Sequence, residues 1–308
     1  MDDKAMERRA LVGLLAAIAA APGSVAGAQD ATQADPLKYL DTAQRLTVKA
    51  HVNGAGPFDF LVDTGASSSV IAAELADQLA LPRGGAYTMH GIAGAQTVST
   101  VRVNTLTVGK RSRANMTISL LPRDVLRVDG VLGLEWLGQA SLLLDFRRRR
   151  MTVGEALPIP DQATVVVGAR MQKSGLTLID ASIPGRRIVA FVDSGSTTTV
   201  GNLAFFEEAV ARRAIIGAVT DTELRSVTGQ TLQGRSITLS RLALGKLILG
   251  RVPMVIGPIH TFDFWGMHAE PAVLIGSDIL RNFETVALDV KGGEVRFKIS
   301  GPYSNGAI

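Results

Sequence analysis

The chain has 308 residues, enough for one large or two modest domains at about 100 to 200 residues each, and its 46% hydrophobic and 5% aromatic content is ordinary for a folded protein. Thirty-two Lys and Arg against 28 Asp and Glu leave a charge of +4, too small a surplus for a polybasic nucleic-acid surface despite a pI near 9.6. The absence of cysteine excludes disulfides, thiolate nucleophiles, Cys-ligated zinc and iron–sulfur clusters, while 32 glycines suit a turn-rich β protein.

At the start, Arg8 and Arg9 precede an apolar run over 10–21, too short to span a bilayer, and Ala26-Gly27-Ala28 supplies the small residues that a signal peptidase requires. Residues 1–28 are therefore expected to be a cleaved export signal, with Met6 an alternative initiator and a buried or amphipathic helix the competing reading. Paired arginines also suit a twin-arginine signal, although Glu7 before them and the lack of an aromatic after them do not. No later stretch reaches the roughly 18 uncharged apolar residues of a membrane span. The expected mature protein is exported, periplasmic or secreted, without stable membrane insertion.

A polar lead-in, 29–44, follows. Residues 45–156 then read as a β-rich lobe, 157–164 as a linker marked by Pro158 and Pro160, and 165–300 as a second β-rich lobe. Helical patterns are few: 72–81, 203–213, and a short turn after Gly133 and after Gly276. The two lobes are copies. LTVKAHVNGAGPFDFLVD ending at Asp63 lies without gaps over LTLIDASIPGRRIVAFVD ending at Asp193, an offset of 193 − 63 = 130. DGVLGLEWL and AVLIGSDIL correspond further on, as do the segments around Asp145 and Asp289. Lys291-Gly292-Gly293 marks a hairpin turn, so Arg147, Arg148, Arg149 and Arg150 are expected at the equivalent turn, as a solvated charge run rather than a polyanion site.

Both copies of the second strand run into one chemical phrase, Val62-Asp63-Thr64-Gly65 and Val192-Asp193-Ser194-Gly195, followed by Val131-Leu132-Gly133 and Leu274-Ile275-Gly276. An apolar pair, Asp, Ser or Thr, and Gly should arise at roughly one position in 10⁴ by composition, so two occurrences at matched places in a duplication are a specific signal. Over about 45–300 this pattern resembles the aspartic proteases, and the short lobes look like the retropepsin-like bacterial aspartyl proteases, two in tandem. The resemblance implies an all-β, two-lobed acid-protease fold: two β-barrel lobes related by a pseudo-twofold axis with a cleft between them. It also implies an aspartic endopeptidase in which Asp63 and Asp193 share a proton and activate a water, with no cofactor or metal.

By the same resemblance, Thr64 and Ser194 would bond across the lobes, Gly65 and Gly195 would let backbone approach the carboxylates, and Gly133 and Gly276 would pack beneath the catalytic loops. Ser196 could hydrogen-bond its Asp where Ala66 cannot, which predicts an asymmetric dyad. Segments 90–96 and 226–231 occupy flap positions, so Ile92, Gly94, Thr228 and Gly229 are candidate substrate contacts, although neither tip carries a tyrosine and Tyr87 is out of phase. Phe262, Phe264, Trp265 and Met267, in extra second-lobe sequence, could line an apolar subsite or pack the core. His260, Asp263 and His268 match no zinc spacing. An extended polypeptide is the expected partner, and because both halves of the site are in one chain, a monomer is expected. The competing function is an inactive pseudo-protease that binds peptides in the same cleft; a structural β protein would instead leave the two aspartates apart.

Overall fold

A computed structural model describes residues 45–299 except 139, 155–156 and 173–175, together with the backbone of 13–14, 37–38 and 40–42. The 1–28 segment otherwise lies outside the described residues. Strands dominate, and the six helices among the described residues are short, the longest being Leu203–Ala211. Helices occur at Ala73–Gln78 and Leu203–Ala211, and at Leu134–Leu137 and Ser277–Leu280 after the two glycines; Arg123–Leu126 and His260–Phe264 carry no clear helical period in the sequence.

The two lobes repeat one topology. In the first, Arg45–Val52 and Ala55–Val62 form a hairpin whose turn residues Asn53 and Gly54 both have positive φ, 51° and 83°, the geometry that matches strand twist. Gly130–Leu132 then inserts parallel to Ala55–Val62 and antiparallel to Val70–Ala72. In the second lobe Ala272–Ile275 inserts in the same way between Arg186–Val192 and Val200–Gly201. Every residue of Gly130–Leu132 and Ala272–Ile275 is buried, as expected for strands covered on both faces and read as unbroken apolar runs.

Antiparallel pairing of Ser141–Asp145 with Thr285–Asp289 joins the lobes. Leu143 faces Ala287, and each lies two residues before the matching aspartate, Asp145 or Asp289. Equivalent positions of the two copies are thus direct partners, which places the pseudo-twofold axis between them. The lead-in joins this sheet, since Leu37–Lys38 pairs with Arg150–Gly154 as Thr164–Met171 pairs with Glu294–Lys298. The arginine run sits at the turn before Arg150: Arg147 meets Glu284 at 3.4 Å and Arg148 meets Asp145 at 3.1 Å.

Two long hairpins complete the frame. Arg83–Gly91 pairs with Gly94–Val108 in the first lobe, and Ile215–Arg225 pairs with Thr231–Leu244 in the second. Gly13–Leu14 lies parallel to the first hairpin at His90 and Gly91.

Candidate active site

Asp63 and Asp193 stand where the two inserted strands end. The Asp63 N–H donates to the Leu132 carbonyl at 3.1 Å and the Asp193 N–H to the Ile275 carbonyl at 3.0 Å. Each strand therefore carries its aspartate to the same height before the chain turns. Each carboxylate then folds back on its own loop. Asp63 Oδ1 accepts from the N–H of Gly65 at 2.8 Å and of Ala66 at 3.0 Å; Asp193 Oδ1 accepts from Gly195 at 2.8 Å and Ser196 at 3.1 Å. These are local Asx contacts, but the loops they shape face one another across the lobes.

Four bonds lock the loops together. The Thr64 hydroxyl donates to the Val192 carbonyl and the Ser194 hydroxyl to the Val62 carbonyl, both at 2.9 Å. In return, the Ser194 N–H donates to Thr64 Oγ1 at 3.0 Å and the Thr64 N–H to Ser194 Oγ at 3.2 Å. With every partner buried, each bond is protected from competing water. The approach is close enough to require glycine: a Cβ on Gly65 would lie 2.3 Å from Asp193 Oδ2, and one on Gly195 would lie 2.2 Å from Asp63 Cγ.

Both aspartates have no exposed surface. Burial pushes Asp193 up to about 6, because a carboxylate removed from water favours its neutral form; the Asp63 side chain and the N–H groups of Gly195, Ser196 and Gly65 oppose that rise. A carboxyl kept neutral into the weakly acidic range can donate a proton to a bound group while an ionised neighbour accepts one.

The Ser196 hydroxyl differs from expectation. It donates to the Thr198 carbonyl at 2.7 Å, and only its backbone N–H reaches Asp193. Ala66 provides the same backbone donor to Asp63, so the Ser/Ala difference gives the carboxylates no unequal hydroxyl. Local geometry explains this: a serine oxygen two residues before a free carbonyl is satisfied within its own turn.

Gly133 and Gly276 lie where a side chain would collide with the loops, their Cβ positions being 2.4 Å from the Ser68 carbonyl carbon and 2.7 Å from that of Thr198. The short helix after each docks on the loop by backbone bonds: Leu134 N–H to the Ala66 carbonyl, and Ser277 N–H to the Ser196 carbonyl, both 2.8 Å. Beside them are two carboxylates that the sequence reading did not single out. Glu135 accepts from the Ser69 N–H at 2.5 Å, while Ser69 Oγ accepts from the Gly133 N–H at 3.0 Å. In the other lobe Asp278 accepts from the Thr199 N–H at 2.9 Å and its hydroxyl at 2.7 Å, while Thr199 Oγ1 accepts from the Gly276 N–H at 3.0 Å. The available signal was a repeated Gly-x-acid, Gly133-Leu134-Glu135 and Gly276-Ser277-Asp278. Burial raises the pKa of both acids against these donors; Glu135 is exposed as a whole residue, while its Oε1 is held at the Ser69 N–H in a half-buried contact.

The candidate flap and subsite residues divide. Ile92, at the tip of the first hairpin, is 1% exposed in a cluster whose other buried members all come from the second lobe. Gly94 has φ 140° with open space at its Cβ, and Gly229 has φ 84° and approaches Val125 of the first lobe. Thr228 bonds within its own turn, to Ser226 Oγ at 2.9 Å. Trp265 is half-buried against Phe191, ring centres 5.0 Å apart. Phe262 and Met267 are core, and Phe264 stacks on His90. Asp263 pairs with His268 at 2.8 Å while His260 faces His90, so the three do not converge. Among the described residues no group of three or more His, Asp or Glu is arranged to hold a metal, and no helix is long and apolar enough to cross a membrane.

Comparison with known proteins agrees with this fold. An aspartic proteinase from Irpex lacteus superposes with a TM-score of 0.53 at 13% identity, over 88% of this chain and 98% of that one. Conglutin gamma, a basic 7S globulin from lupine seeds, superposes with a TM-score of 0.51 at 11% identity, over 86% and 94%. Likeness at such identities shows the two-lobed fold alone. No curated protein matches the sequence. The aspartyl protease family model matches residues 48–136 and 179–279, one segment in each lobe and each carrying its Asp-Thr/Ser-Gly loop, and the chain belongs to the aspartyl protease family.

Proposed function

We propose that this protein is an aspartic endopeptidase that cleaves extended polypeptides with a water activated between Asp63 and Asp193. The observation that carries the reading is the convergence of two fully buried carboxyls, one per lobe, each lying against the glycine of the opposite loop, with Asp193 raised to about 6. The ionised oxygen takes a proton from water while the protonated partner donates to the scissile carbonyl, giving a tetrahedral diol. Proton transfer to the amide nitrogen then lets the C–N bond break, and the dyad regains its single shared proton. Thr64, Ser194, Gly65 and Gly195 hold the two loops at the required separation, and Glu135 and Asp278 position them from below. The hairpins bearing Ile92, Gly94, Thr228 and Gly229 cover the substrate, whose backbone would pair with them as an added strand. A monomer suffices for this site. The basic, apolar and small-residue order of 1–28 supports action after export.

The test is cleavage of a diverse peptide library from acid to neutral pH by wild type, Asp63→Asn and Asp193→Asn, with and without pepstatin. Acid-favoured cleavage lost in both variants supports the dyad. A folded wild type that binds peptides without cutting them overturns the reading in favour of a peptide-binding pseudo-protease.

A further inference from the structure

Hairpin tips are ordinarily exposed, yet the tip of the first hairpin is held by the opposite lobe. Ile92 is buried among Leu176, Phe191, Leu224, Phe262 and Met267, and its carbonyl accepts from the His260 N–H at 2.8 Å. Two residues earlier, His90 Nδ1 lies 3.0 Å from His260 Nε2, and the His90 ring stacks on Phe264 with centroids 3.7 Å apart. A Cβ on Gly91 would lie 2.7 Å from Ser226 Oγ, so the second hairpin meets the tip as well. We propose that His90 and His260 form a clasp that shuts the first hairpin over the cleft, with Ile92 as its apolar anchor, and that acid opens it.

The chemistry follows from proton count. Two imidazole nitrogens at 3.0 Å make one hydrogen bond only if one carries hydrogen and the other is bare. Two imidazolium rings would instead bring N–H against N–H and charge against like charge. Neither ring meets a carboxylate among the described residues. On the helix, Asp263 is engaged by His268 at 2.8 Å; on the second hairpin, Glu223 bonds Gln233 at 3.2 Å, and Arg225 adds positive charge. The strands of the first hairpin bear Arg83, paired with Asp77, and Arg102.

Burial, with His260 adding to it, holds His90 below its ordinary 6.5. The closed form therefore takes up a proton less readily than the open form. The clasp is intact above about pH 6.5 and weakens as pH falls below it, by up to about tenfold per pH unit for each proton gained. This is the direction in which Asp193 regains its proton, so one change of pH would open the cover and load the dyad. That consequence for turnover rests on the protease reading; the clasp does not.

Hydrogen exchange of peptides spanning residues 89–95, corrected for intrinsic rate, tests it at neutral pH and near pH 5, with peptides from Leu203–Ala211 as an internal control. Wild-type protection at the tip should fall about tenfold or more on acidification while the control holds, and His268→Gln should behave as wild type. His90→Phe, which keeps the stack on Phe264 and removes the titration, should show no such fall; His260→Gln provides the same reading if that variant does not fold. Flat wild-type protection, or an unchanged acid response in the folded variant, would overturn the proposal. A wild type that cleaves nothing would sink the protease reading and leave this measurement intact.

Discussion

Replacing Asp193 with Asn should stabilise the fold at neutral pH, even as it disables the proposed dyad. The asparagine oxygen can still accept from the Gly195 and Ser196 N–H groups, at 2.8 and 3.1 Å in the parent, and its amide can donate to Asp63. What disappears is a buried group that must ionise against desolvation. Because the folded pKa of Asp193 is raised, its favourable contribution is fully present below the ordinary 3.8 and is lost as pH rises through about 6. That interval, at about 1.4 kcal/mol per pH unit, bounds the effect at about 3 kcal/mol, shared with Asp63 to the extent that the pair titrates together. Urea unfolding followed by tryptophan fluorescence is the assay, since Trp136 reports on the first lobe and Trp265 on the second, and the chain has no other tryptophan. The stability of Asp193→Asn minus that of wild type should grow between about pH 4 and about pH 7, by up to the amount above. His90 titrates in both proteins and cancels. A difference that stays constant, or shrinks, as pH rises would refute the desolvation argument.

Two further substitutions address how the loops meet. Gly65→Ala puts a methyl 2.3 Å from Asp193 Oδ2, and displacing the carboxylate by about 1 Å should reduce kcat by about 100-fold; steady-state kinetics with unchanged kcat would show that the approach is not needed. Thr64→Val removes the donor to Val192 and the acceptor of the Ser194 N–H, which should lower stability by about 1 to 3 kcal/mol. A double-mutant cycle with Ser194→Ala, read by thermal unfolding, should show coupling, and strict additivity would deny the cross-lobe lock.

The duplicated strand-turn-strand pattern, the buried apolar runs at Val131-Leu132 and Leu274-Ile275, and the Asp-Thr/Ser-Gly phrases were legible because each is set by short-range sequence: period-2 burial, turn chemistry and an offset alignment. The place of Gly133 and Gly276 beneath the loops came instead from the family resemblance. Glu135 and Asp278 were less visible, since a polar residue two places after glycine in a four-residue helix has no periodic mark, and its half-buried contact lies 66 or 79 residues away.

The sequence alone determined the duplication and the strand end at each Asp, because those need only local pattern, while the two-lobed architecture and the pairing of Asp63 with Asp193 came from the resemblance of the Asp-Thr/Ser-Gly phrases to the aspartic proteases. Tertiary structure decided what the phrases alone leave open: within each lobe, that Glu135 and Asp278 brace the loops, and between the lobes, that Thr64 and Ser194 bond across and that the hairpin tip at Ile92 reaches the second lobe beside His260. The inter-lobe contacts depend on how two separately patterned lobes are docked about the axis between Leu143 and Ala287, and contacts between groups 130 or 170 residues apart leave no period in the chain for a local rule to detect.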